Sequence, residues 1–153
     1  MGIFARLYIR TSAAGVGALL VGAPVAAGAY LFAETYGPGV DFSEAIAASF
    51  FGAFLGTGLA FLLGLVAVLG YGAPLWVLAV QRGFGPKVSA LAVGAAPGVA
   101  FSVSGSASLP ASLFVGGVVT AVAALCLLWL FSVDIRVRAA NQSFKPTSLR
   151  DAA

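Results

Sequence analysis

Few side chains in this chain are able to do acid, base or nucleophilic chemistry, and their spacing does not gather them. There is no histidine, which removes imidazole ligation of zinc or haem and any Ser-His-Asp relay. The acids are Glu34, Asp41, Glu44, Asp134 and Asp151, and the one cysteine is Cys126. Glu34 and Asp41 are near enough in sequence to raise a paired-carboxylate acid/base site. However, no apolar run encloses them to shift a pKa, so they read as solvated loop charges. Cys126 lies inside an apolar run, where thiolate formation is suppressed, and it has no partner for an intramolecular disulfide. No Gly-rich phosphate loop of either the P-loop or the dinucleotide form is present. The sequence therefore assigns no catalytic, cofactor-binding or metal-binding residue and implies no cofactor. The expectation is a protein that is not an enzyme.

Two weaker features remain. Tyr71-Gly72-Ala73-Pro74 interrupts an apolar stretch, as broken helices do where transporters bind their solutes. Without an ionisable residue beside it, it reads first as a proline kink buffered by glycines. Ser89, Ser102 and Ser104 dilute a later apolar stretch and raise the idea of a polar pathway. The plainer reading is a short helix buried among its neighbours.

The elements that carry these residues are set by the solvent the chain needs. Hydrophobic residues make up 61% and charged residues 8%, against about a quarter charged in soluble domains. Mean hydropathy is +1.05. Thirteen charged side chains cannot coat a soluble fold of this size, but a bilayer removes that need. The net charge of +3 does not argue for nucleic acid, because the basic residues never run beyond the Arg136/Arg138 pair. Small membrane proteins keep Lys and Arg on their cytoplasmic side.

Charge-free runs mark the spans. Residues 11–33 separate Arg10 from Glu34 and are long enough to cross about 30 Å of hydrocarbon. The basic start and the Ala27-Gly28-Ala29 exit resemble a signal peptide. Tyr30-Leu31-Phe32 carries the apolar run past that cut, which favours a retained span. Residues 45–81 are uncharged over thirty-seven positions. If they crossed twice, with a turn at 70–74, the second limb would be 75–81, only about 10 Å of helix. They therefore cross once, as a long helix kinked near Pro74. Residues 88–132 are uncharged over forty-five positions, and a Ser-Gly-Pro-containing turn divides them into spans 88–103 and 111–132.

Small residues recur at helical spacing: Ala14, Ala18, Gly22 and Ala26; Gly52 and Gly56; Gly94, Gly98 and Ser102; Gly116, Thr120 and Ala124. Such faces let helices approach closely in lipid. Trp76 and Trp129 sit where interfacial anchors belong. After Ser132, Val133, Ile135 and Val137 alternate with Asp134, Arg136 and Arg138, a pattern open to a short strand or to a helix end with snorkelling arginines.

With four spans, all eight Lys and Arg fall on one side, and Glu34, Asp41 and Glu44 fall on the other. The positive-inside rule then places both termini in the cytoplasm. The expected fold class is an all-α integral membrane protein, a four-transmembrane-helix bundle over residues 1–140, with 141–153 a mobile cytoplasmic tail. The Ala/Gly/Val-rich composition points to a bacterial inner (plasma) membrane. No span holds an Asp, Glu, Lys or Arg, which proton-coupled transporters and pumps need. Small four-span multidrug exporters depend on a buried carboxylate, and membrane glutathione transferases on intramembrane charged motifs; both are missing here. The functional expectation is an accessory, structural or assembly subunit packing against a larger membrane complex. The small-residue faces would serve a membrane-protein partner or self-association, with the lipid bilayer around them and no nucleic acid. The alternative is an oligomeric channel or carrier for a neutral or lipid-like solute.

Overall fold

The computed structural model describes residues 3–143, with side-chain surroundings for 4–132 apart from residue 104. Every regular element among the described residues is helical. These are α1 (Ile3–Thr35), α2 (Phe42–Ala67), a π-helical turn (Val68–Gly72), α3 (Ala73–Gln81), α4 (Pro86–Phe101), a 3-10 turn (Ser102–Ser104) and α5 (Ser108–Ser143). The stretches Phe4–Thr35, Phe42–Gln81 and Ser108–Ser132 are each long and apolar enough to cross a membrane, and Pro86–Phe101 is a shorter apolar helix.

The boundaries follow local chemistry. Helix α1 stops at a Pro38-Gly39 turn in which Gly39 takes φ 94°, a left-handed conformation that costs a glycine little. Phe32, Tyr36 and Phe42 cluster across this turn with ring centroids 5.1 to 6.3 Å apart. Glu44 lies in the first turn of α2, where the helix dipole favours a negative charge. Helix α4 opens with Pro86 in its first turn, where the missing N–H loses nothing. The alternating segment after Ser132 is helical: α5 runs on through it to Ser143, so the strand-like alternation does not form a strand. The remainder of the expected tail, 144–153, lies outside the described residues.

The helices form an open arc in the order α2, α1, α5, α4. Helix α1 packs antiparallel between α2 and α5. Its Gly28 faces Ala53 and Ser49, its Leu31 lies over Gly52, and its Leu19 over Gly64. On its other flank, Gly22 and Ala26 meet Thr120 and Gly116 of α5. Helix α4 docks on the far side of α5 through Gly94 and Gly98, which lie on Gly117 and Phe114. The predicted small-residue faces are thus the helix contacts, except at Ser102, which is exposed, and Ala124, which faces the space inside the arc. The start of α1 and α4 both pack on α3, so the long second rod closes the arc at one end and leaves α2 and α4 apart along the rest.

This arrangement places Arg6, Arg10, Arg82 and Lys87 at one end of the bundle and Glu34, Asp41 and Glu44 at the other. Buried side chains are mostly small: Ala14, Ala18, Ala23, Ala45 and Ala73, with Val77 the largest that is fully enclosed. Close backbone approach, with few large interdigitating side chains, is the packing expected when lipid removes the hydrophobic drive between helices.

Candidate functional site

Three local constructions stand out: the break in the second rod, a polar tie at the acidic end, and an apolar cleft inside the arc.

The break begins two residues before the 70–74 segment that a simple proline kink would disturb. The chain widens into a π turn at Val68–Gly72, and Pro74 follows as the second residue of α3. Ala73 gives its N–H to the carbonyl of Val68, five residues back. The carbonyl of Leu69 therefore loses the donor an α-helix would supply, and Pro74, next in line, has no N–H to replace it. The hydroxyl of Tyr8 on α1 fills that vacancy, donating to Leu69 O at 3.0 Å. A carbonyl freed within a membrane helix must find a partner in the protein, and here the partner comes from the neighbouring helix.

At the opposite end, Ser108 is buried to 3% exposure at the start of α5. Its hydroxyl donates to Glu34 Oε1 at the end of α1, and Ser106 Oγ lies 3.0 Å from Ser108 Oγ. Glu34 is exposed, as the sequence implies, but it is not only solvated: it ties two helix ends together. Substituting Ser108 with alanine is expected to cost about 1 kcal/mol, the usual net worth of such a bond. Glu34→Gln, which keeps an acceptor, is expected to cost less. Unfolding by SDS titration in mixed micelles reads both, and equal effects would mean that the charge, not the bond, carries the tie.

The cleft holds about 680 Å³, and every helix of the arc contributes to its walls. It runs from Thr11, Tyr71 and Trp76 at the basic end to Tyr30 and Phe51 at the acidic end, and small residues such as Gly56 and Gly116 line its middle. Apart from the tyrosines at its two ends, the polar residues of its wall turn their hydrogens elsewhere. Thr11 donates to Leu7 O, Ser112 to Leu109 O, Thr120 to Gly116 O and Trp76 Nε1 to Pro86 O, at 2.7 to 2.9 Å. No charged side chain lines it.

The sequence-level candidates divide accordingly. Tyr71, Gly72 and Ala73 of the break do reach the cleft. Ser89 and Ser102 do not: Ser89 donates to Gly85 O and Pro86 O, and Ser102 to Val99 O; the side chain of Ser104 lies outside the described residues. Helix α4 instead offers Ala90, Val93, Gly94 and Pro97 to the cleft, so Ser89 and Ser102 build no polar pathway there. Asp41 and Cys126 are exposed and lie outside the cleft. Among the described residues, no group of His, Cys, Asp and Glu could hold a metal ion. Tyr8, Ser108 and the cleft were not singled out by sequence; a tyrosine at the start of a span opposite a glycine-proline break is the signal that points to the first.

Such a wall has little to offer an ion or a polar solute, which needs oriented donors and acceptors to replace its water. It suits hydrocarbon. No family model, curated protein or solved structure matches the chain.

Proposed function

We propose that this chain is a non-catalytic, four-span integral membrane protein of a bacterial inner membrane, with both termini cytoplasmic. It acts as an accessory or assembly subunit beside a larger membrane complex. The observation that carries this reading is the state of α2. That helix packs along its length on α1 alone, while Phe50, Phe54, Leu59, Leu62 and Val66 are 65 to 85% exposed. Gly58, on the same helix, has open space around it. A long helix held on one side is suited to receive further membrane helices.

The span count is supported by lengths. Helix α4 supplies sixteen residues, about 24 Å, and the 3-10 turn of three residues adds about 6 Å. Together they match about 30 Å of hydrocarbon. The gathering of Arg6, Arg10, Arg82 and Lys87 at one end supports the orientation. In a Cys126→Ser background, a cysteine at Gly85 is expected to resist impermeant thiol reagents in intact cells, and one at Gly37 to react. The reverse pattern overturns the orientation.

The subunit reading is tested by the native mass of gently solubilised protein and the identity of what co-purifies. Stoichiometric partner chains support it, and a homogeneous assembly of this chain alone rejects it. The uncharged cleft favours a second reading, a carrier for a lipid-like solute, for which the direct measurement is solute flux into liposomes.

A further inference from the structure

The cleft has the dimensions of something specific. Along α1 its wall extends from Thr11 to Tyr30, nineteen helical steps or about 28 Å, close to the thickness of the hydrocarbon layer. An extended hydrocarbon chain is matched to an apolar slot of that length, with its carbons in contact about 3.5 to 4.0 Å from those of the wall. Between the tyrosines at its ends the wall agrees with that occupant, because the hydroxyls of Thr11, Ser112 and Thr120 and the indole of Trp76 are spent on backbone carbonyls as described above. Entry is from the side, where α2 and α4 stand apart.

The two ends of the cleft differ in charge. The acidic end has Glu34, Asp41 and Glu44 nearby in the fold. At the other end stand Arg6, Arg10, Arg82 and Lys87, all exposed. The Trp76–Pro86 hydrogen bond of 2.8 Å holds the Arg82–Lys87 loop against the cleft's rim. A chain seated in the cleft with its headgroup at this end meets bases, and an anionic headgroup is the complement. We propose that the cleft binds one acyl chain of an anionic membrane phospholipid, its headgroup held at the basic end. The proposal rests on the membrane-embedded reading but not on the subunit role, and its test leaves both span count and partners aside.

The test is native mass spectrometry of the full chain, reconstituted with equimolar phosphatidylglycerol and phosphatidylcholine of identical chains and then stripped of loosely held lipid. The expected result is one retained phospholipid per chain, with phosphatidylglycerol favoured at least fivefold. Ala60→Phe with Ala124→Phe, which narrows the cleft from α2 and α5, is expected to lower retention about tenfold. Leu62→Phe, outside the cleft on α2, is expected to leave it unchanged. Arg10→Gln with Arg82→Gln and Lys87→Gln, all surface changes, is expected to abolish the headgroup preference while a lipid is still retained. Absence of retained lipid in the unaltered protein overturns the proposal. So does equal loss in the Leu62→Phe control, or a headgroup preference untouched by the charge changes. Should the double phenylalanine variant fail to fold, the charge variants still decide.

Discussion

Gly117→Ala is expected to detach α4 from α5, at a cost of about 3 kcal/mol or more. The side chain it adds is one methyl group, but there is no room for it. A Cβ at position 117 would stand 2.0 Å from the carbonyl oxygen of Gly94 and 2.9 Å from its carbonyl carbon. The obstruction is reciprocal, since a Cβ at Gly94 would lie 2.5 Å from the carbonyl oxygen of Gly117. Both obstacles are backbone, so no rotamer change relieves them and one helix must move. Overpacking typically costs about 1 to 3 kcal/mol where side chains can adjust, which puts a backbone collision at or above the top of that range. Close approach is also the main attraction between helices in lipid, so separating them removes the favourable contacts together with the clash. Gly58→Ala is the internal control, because nothing lies within 4 Å of the Cβ it adds. SDS-titration unfolding should show a large loss for Gly117→Ala and almost none for Gly58→Ala. Amide exchange should rise over Pro86–Phe101 in the first variant only. Equal behaviour of the two would mean that α4 does not dock on this glycine pair.

Tyr8→Phe is expected to destabilise the protein by about 1 to 2 kcal/mol, and the loss should depend on Pro74. The substitution keeps the ring and removes the hydroxyl that serves Leu69 O. A half-buried carbonyl left without a donor costs about 1 to 3 kcal/mol, reduced in membranes because the unfolded reference also finds partners. Pro74→Ala restores an N–H five residues beyond Leu69, within reach of that carbonyl in the π turn. In the Pro74→Ala background, Tyr8→Phe should therefore cost distinctly less. The double-mutant cycle is expected to give a coupling of about 1 kcal/mol, in the range seen for residues that share a partner. Additive effects would show that Tyr8 acts through ring packing alone, since Phe4 stacks on it at 6.4 Å in either case. Exchange at the amides of Val68–Gly72 should quicken in Tyr8→Phe with the proline in place.

The two variants also separate what was readable in the chain from what was not. Gly94 and Gly98, Gly52 and Gly56, and Gly116 and Thr120 are spaced as contact faces, and each pair lies on a neighbouring helix. That spacing is legible because a helix brings every third or fourth residue to one side whatever surrounds it. Which face meets which helix is not legible, because many small-residue faces are nearly equivalent partners. The Leu69 vacancy was half visible: Gly70, Gly72 and Pro74 announce a break, but the π turn moves it upstream, and its repair by Tyr8 joins residues 61 positions apart. The Glu34–Ser108 tie spans 74 positions and leaves no mark in either local segment. The serines of α4 mislead because a hydroxyl on a helix has a ready acceptor in its own preceding turn, as Ser89 shows.

By itself the sequence determined an all-helical chain suited to a membrane, the presence of three long apolar helices and a shorter one, the poverty in titratable chemistry, and the gathering of bases and acids at opposite ends. These follow from composition and from run lengths measured against a helix rise and a bilayer thickness, quantities that act along one dimension. Only the tertiary structure decided that α1 sits between α2 and α5, that α4 docks beyond α5, and that α2 and α4 stand apart. The cleft exists because of that last choice. It is a property of the space between helices, set by which small faces are used in pairing and which are left facing inward, and no single segment carries that information.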